Sequence, residues 1–244
     1  MATRVPTEIE ALTWTDFLQR QRDHWEPGEH WALVAPTGEG KTTFTGGLVK
    51  TRRFVLALDQ KGGDKTLSML GWDRMTNWPP SRRDRRDMAD RLPFRRVVGS
   101  VKRDQVSRNQ RRELHRVILR AAMEEGGWTI VAPDLAALTA RQFGNAWDEM
   151  VELLILARDA GTSIVTDFQR PAGVPREAGE MATYLGIGYT RDKDTVSRLA
   201  EMMGRSASEI RGAVSALSEL PYGWLIVSRR PRDPILLTRP EKLS

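Results

Sequence analysis

Short runs of apolar residues alternate along this chain with longer amphipathic stretches. Residues 30–35 (HWALVA), 54–58 (FVLAL), 128–132 (WTIVA), 162–167 (TSIVTD) and 184–189 (YLGIGY) read as strands, several apolar on both faces. Residues 41–50, 104–125, 141–159, 195–203 and 206–217 read as helices, the last introduced by Ser206 as a cap. In 104–125 the apolar positions Leu114, Val117, Ile118 and Ala121 predict an inward stripe, with Arg108, Arg111, Arg112, Arg116 and Arg120 largely off it and Gly126-Gly127 as the stop. Before the first strand, 14–25 predicts a short amphipathic helix with Trp14, Phe17, Leu18 and Trp25 on its apolar side. Residues 70–93 look irregular, 95–99 suggest a short edge strand, and 223–228 with 234–238 suggest a final hairpin. Strands alternating with helices predict an α/β fold with a mostly parallel central sheet covered on both sides. With no internal repeat, low-complexity tail or linker in view, 1–26 reads as an N-terminal helical extension and 27–244 as a single domain.

Composition narrows the class. A chain of 244 residues, 40% hydrophobic and 29% charged, suits one large soluble domain. No apolar run nears the ~20 residues of a membrane span, and the first residues carry no apolar leader. There is no cysteine and only three scattered histidines, which leaves no thiolate metal site and no disulfide. A cytoplasmic location is expected.

Charge adds a partner. The chain carries +6, and 31 of its 38 basic residues are arginine. Residues 82–120 hold 14 Arg and Lys against 5 Asp and Glu, a net +9 that leaves −3 elsewhere. A basic block on a mildly acidic body points to a polyanion, and guanidinium forks pair bidentately with phosphate. Within this block Arg108, Arg111, Arg112 and Arg116 are the candidate nucleic-acid contacts.

The sharpest chemistry lies between the first strand and the first long helix. Ala35-Pro36-Thr37-Gly38-Glu39-Gly40-Lys41-Thr42 follows the phosphate-loop pattern G-x-x-x-x-G-K-[ST], with alanine at the first glycine position. Thr37, Gly38, Glu39, Gly40, Lys41, Thr42 and Thr43 are the candidate ATP-binding residues. The glycines let successive amides wrap phosphate oxygens, Lys41 neutralises the β- and γ-phosphates, and Thr42 offers a hydroxyl to Mg²⁺. Hydrolysis also asks for a carboxylate at another strand end to hold the metal, and often a glutamate to activate water. Asp134 stands either at the metal aspartate, with Leu135 where the glutamate would be, or at the glutamate, with Pro133 replacing the aspartate. Asp59 and Asp167 close other strands; Asp167, followed by Gln169, is the better substitute for the missing partner.

These blocks together resemble the FtsK/HerA superfamily of DNA-pumping ATPases. The resemblance rests on EHWALVAPTGEGKTT, FVLALDQKGGD, WTIVAPDLAAL, ARDAGTSIVTDFQRPAGVP and YTRDKDTVSRLAEMMG, in that order. It implies a RecA-like core with strand order 5-1-4-3-2, and a ring of five or six subunits that moves double-stranded DNA using ATP and Mg²⁺. By position Lys41 and Thr42 hold phosphate and metal, Asp134 falls at Walker B, Gln169 is the γ-phosphate sensor, and Arg170 or Arg191 would complete a neighbouring subunit's site. A phage portal or conjugation apparatus is the implied docking partner, with no membrane contact. The departure at Pro133-Asp134 leaves a second expectation, a nucleotide-binding scaffold on DNA or a portal with little hydrolysis.

Overall fold

In the computed structural model of the chain, residues 9–63, 65–90, 92–99, 105–135, 147–170, 176–230 and 233–241 are described. Ten strands form one sheet: β1 (Ile9–Ala11), β2 (His30–Val34), β3 (Phe54–Leu58), β4 (Arg74–Met75), β5 (Phe94–Val98), β6 (Thr129–Ala132), β7 (Ser163–Phe168), β8 (Ala182–Gly188), β9 (Trp224–Ser228) and β10 (Ile235–Thr238). Their order is β1-β10-β9-β8-β2-β7-β6-β3-β5-β4. The parallel strands β2, β3, β6, β7 and β8, numbered among themselves in chain order, run 5-1-4-3-2, but β4 and β5 intervene between β3 and β6 in the chain, so the exact strand order differs from the expected one. The full order is wider than that core: β9 and β10 add the antiparallel hairpin, β1 pairs parallel to β10, and β5 and β4 extend the far side.

Nine α-helices among the described residues, α1 (Trp14–His24), α2 (Lys41–Val49), α3 (Lys65–Ser68), α4 (Arg82–Ala89), α5 (Gln105–Glu125), α6 (Trp147–Leu156), α7 (Arg176–Glu180), α8 (Lys193–Met202) and α9 (Ala207–Ala216), accompany the sheet, and both faces are covered because the core strands are apolar on both. Trp31 and Leu33 of β2 join Phe17 of α1 (Trp14–His24) and Phe44 and Leu48 of α2 (Lys41–Val49) on one side. Ala32 and Val34 meet Val196 and Leu199 of α8 (Lys193–Met202) and Ile210 and Val214 of α9 (Ala207–Ala216) on the other. Ser206 caps α9 as expected, accepting the Glu209 amide at 3.2 Å. No helix among the described residues is long and apolar enough to cross a membrane.

The α1–α2 contact is close. A Cβ on Gly47 would lie 2.4 Å from Cζ2 of Trp14, whose ring stacks on Phe17 at 5.2 Å. Alanine normally favours a helix interior over glycine by about 1 kcal/mol. Overpacking a filled core costs about 1–3 kcal/mol. Gly47→Ala is therefore expected to lower stability by up to about 2 kcal/mol, read from urea midpoints at unchanged m-value.

Three sequence expectations need correction. The stretch 70–93 is not all irregular: it contains β4 and α4 (Arg82–Ala89). A capping box starts α4, in which Ser81 Oγ accepts the Asp84 amide at 3.1 Å and Asp84 accepts the Ser81 amide at 3.2 Å. None of its residues is buried, so it leaves no apolar period to read. Strand β5 is not an edge, because β4 pairs outside it. In α5 (Gln105–Glu125) the buried face runs through Arg111, His115, Ile118, Leu119 and Ala122, while Val117 is exposed. The helix thus buries two polar residues, Arg111 and His115, ahead of its apolar ones, which apolar spacing alone does not reveal. Helix α6 (Trp147–Leu156) lies within the expected 141–159; residues 141–146 are outside those described.

Two buried histidines make the fold acid-sensitive. His30 Nδ1 accepts the Ile164 amide at 3.1 Å while Nε2 donates to Leu154 O at 3.2 Å, so the ring must stay neutral. His115 is buried against Val98 O. Burial drives both pKa values from 6.5 to about 4. The folded values lie below the unfolded ones, so this stability is complete above pH 6.5 and is lost as pH falls toward 4. The expected loss is about 3 kcal/mol per histidine. Urea midpoints across pH 7 to 4.5 should fall, and less steeply in His115→Gln.

Candidate nucleotide site

Strand β2 delivers the chain to the turn at 35–40, and α2 carries it away. Gly38 (φ 95°) and Gly40 (φ 76°) both take left-handed conformations that a side chain would strain. No side chain caps α2, so the amides of its first turn remain for an anion. Lys41 Nζ crosses the turn and donates to Ala35 O at 2.7 Å and Pro36 O at 2.9 Å. Burial lowers its pKa, opposed by the charges of Asp167 and Asp134. The turn is open: a cleft of about 530 Å³ lies against it. Thr37, Gly38, Gly40, Lys41, Thr42 and Thr43 form one wall, and Asp134, Asp167, Gln169, Lys61 and Lys65 face them. Glu39 is outside this lining and sits beside Gly188 of β8.

The two carboxylates meet because β7 lies between β2 and β6. Leu33 is in register with Asp167, and Ala132 with Thr166. Asp167 accepts the Asp134 amide at 3.0 Å. Asp134 itself is a non-glycine residue at φ 54°, a backbone state that persists only when its surroundings enforce it. Its carboxylate pairs with Lys61 at 2.7 Å. Burial pushes the Asp167 pKa up to about 6, against the Asp134 amide and the Lys41 charge. Asp59 is elsewhere: wholly buried, it accepts the amides of Gly62 and Gly63 at 2.9 and 2.7 Å and pairs with Arg74 at 2.7 Å. It holds the turn after β3.

The lining of the cleft carries the groups a metal–triphosphate would need, the Lys41 ammonium and the oxygens of Thr42, Asp134 and Asp167. Among the described residues no group of three or more acidic or histidine side chains is placed to hold a metal alone. Magnesium characteristically takes one or two protein oxygens with phosphate oxygens and water, and Thr42 and Asp134 supply such oxygens here.

The candidate arginines divide. Arg170 and Arg191 are exposed beyond the ends of β7 and β8, and Arg191 Nε donates to Tyr189 Oη at 3.1 Å. Arg111 is buried, its Cδ 3.3 Å from a Cβ built on Gly99, so it offers little surface to a polyanion. Arg116 pairs with the buried Glu149 at 2.8 Å, as does Arg120 at 3.0 Å. Burial works against Glu149, yet the Arg116 hydrogen bond and both guanidinium charges hold it below the usual carboxylate range. Arg112 is half-buried; Arg108 is on the first turn of α5, and its side chain lies outside those described. Among the described residues of this block the exposed arginines are Arg82, Arg83, Arg85 and Arg86 on α4, together with Arg120.

No protein-family model and no curated protein matches the chain. Solved structures do. The genome-packaging NTPase B204 of Sulfolobus turreted icosahedral virus 2, in complex with sulfate, matches 89% of this chain and 99% of its own at a TM-score of 0.59 and 15% identity. Its complex with ATP-gammaS matches at 0.55 and 14%, over 89% and 99%. EccC of Thermomonospora curvata (ATPases 2 and 3), in complex with a signal sequence peptide, matches at 0.53 and 14%, over 90% of this chain and 37% of its own.

This is the fold of the genome-packaging NTPase B204.

Within that fold the cleft also holds residues the sequence reading passed over. Lys61 and Lys65 place two more cations opposite the loop. The signal for Lys61 was present in DQKGGD, where a lysine follows a strand-end aspartate. Tyr222 lies beside Gly40 although 182 positions separate them, and no local pattern marks it.

Proposed function

We propose that the chain is an ATP-hydrolysing motor that moves double-stranded DNA as a ring of five or six copies, in genome packaging or transfer of a mobile element. The observation that carries this reading is the convergence of Lys41, Thr42, Asp134, Asp167 and Gln169 on one cleft. In this reading the α2 amides and Lys41 hold the β- and γ-phosphates, and Thr42 with Asp134 holds magnesium and its water shell. Bound magnesium would supply positive charge against the phosphate oxygens. Asp167 takes the place of the missing carboxylate: it fixes Asp134 through its amide and faces the γ-phosphate position with Gln169, which orients the attacking water. A neighbouring copy's Arg170 or Arg191 completes the site. The B204 likeness supports the reading at the level of the fold.

DNA contact falls to the exposed arginines of α4 and to Arg112. Phosphate contacts of this kind are sequence-neutral and salt-dependent. The deciding measurement is phosphate release with and without duplex DNA. Stimulation by DNA, lost on charge reversal at Arg82, Arg83 and Arg86, is the expected result. Turnover indifferent to DNA at low salt would remove the motor. A second reading, the nucleotide-binding scaffold, is favoured by the Lys61–Asp134 ion pair, which engages the metal carboxylate. Tight ATP binding without phosphate release selects it.

A further inference from the structure

A second cleft, of about 880 Å³, shares Gly38, Gly40 and Thr43 with the first but has different walls. Where the first offers lysines and carboxylates, this one offers Trp14, Tyr222 and Pro240, with Arg239 and Glu241 also on its lining. Tyr222 is its most unusual member. It is 60% exposed, and its backbone takes φ 60°, rare for an aromatic residue. The turn that holds it is closed by the Gly223 amide donating to Leu220 O at 2.8 Å. Its Cδ1 lies 3.7 Å from a Cβ built on Gly40, in van der Waals reach of the phosphate loop. The neighbouring cleft begins at the same glycines and is lined by flat apolar surfaces.

We propose that this second cleft is the nucleoside subsite and that Tyr222 is the surface on which the base stacks. The proposal rests on the reading of 35–42 as a triphosphate loop. A base lying on the Tyr222 ring covers an exposed aromatic side chain and gains offset-stacking contact. Glu241 accepts hydrogen bonds from a base amino group or a ribose hydroxyl, and Arg239 donates to base or sugar acceptors. Residues from near both ends of the chain thereby close over one ligand: Trp14 follows β1, Arg239 and Glu241 follow β10, and β1 pairs with β10.

The test is calorimetric titration of the full chain with Mg-ATP and, separately, with magnesium and inorganic tripolyphosphate, which has no base. Tyr222→Gly removes the ring yet accepts the left-handed backbone without strain, so its melting temperature should not fall. It is expected to bind Mg-ATP about tenfold more weakly than the wild type while holding tripolyphosphate within twofold. Tyr222→Phe keeps the ring and should bind Mg-ATP within threefold of the wild type. Unchanged Mg-ATP affinity in Tyr222→Gly overturns the proposal, as does an equal loss for both ligands. A wild type that binds tripolyphosphate as tightly as ATP sinks the base subsite and leaves the phosphate loop standing. A wild type that binds neither sinks both.

Discussion

Lys41→Ala should abolish measurable turnover, by about 10²–10³-fold, and weaken Mg-ATP binding by about 10–100-fold. Two effects act on this variant, and they are separable. The lysine bridges Ala35 O and Pro36 O at 2.7 and 2.9 Å, so its loss removes two donors from the turn as well as the cation from the cleft. Pro36 is exposed, so water replaces the donor it loses, whereas Ala35 is buried and its carbonyl is left short of a partner. The charge on the triphosphate has no substitute at all. Thermal melting should therefore fall only modestly while phosphate release disappears. Lys41→Arg restores a cation but not the compact ammonium, and it should recover binding more than turnover. Turnover unchanged in Lys41→Ala would end the case for a phosphate loop.

The second large effect belongs to Asp167→Asn, which should cut turnover by about 10²–10³-fold while raising the stability of the nucleotide-free protein. The carboxylate is buried, and its pKa rises from 3.8 to about 6 because the charged form loses water. The folded value lies above the unfolded one. The cost of ionising it is therefore absent below pH 3.8, grows as pH rises, and is complete above pH 6. A shift of this size is worth about 3 kcal/mol, which asparagine avoids while its Oδ1 still accepts the Asp134 amide. Urea unfolding in EDTA should show the variant more stable at pH 8 and level with the wild type near pH 4. A stabilised but inactive variant is what a functional site held at a cost to stability produces. Equal activity would remove Asp167 from the hydrolytic step. Equal stability at pH 8 would mean that water reaches the carboxylate.

The candidate site was legible in unequal parts. The turn at 35–42 could be read directly because its requirements are local: glycines where φ is positive, a lysine and a threonine opening a helix. Both Gly38 and Gly40 do take positive φ. The hairpin at β9 and β10 and the Ser206 cap were equally readable, each being set by neighbours in sequence. The arginine block was readable as charge but not as surface. Arg111 sits near the turn that Asp59 holds and Arg116 pairs with Glu149, while the exposed arginines lie mostly on a helix with no apolar face to reveal it. Charge is a property of composition, whereas exposure depends on what packs above.

The amino-acid order alone determined the phosphate turn, the alternation of strands and helices, and the absence of thiol chemistry, because backbone dihedral needs and burial on two faces repeat at short range. Tertiary structure decided the partners. Asp134 and Asp167 meet because β7 inserts between β2 and β6. Lys61 reaches Asp134 across the adjacent β3, and Tyr222 reaches the loop from the start of β9. Such contacts depend on strand order and on side chains far apart in the chain, so no window of neighbouring residues contains them.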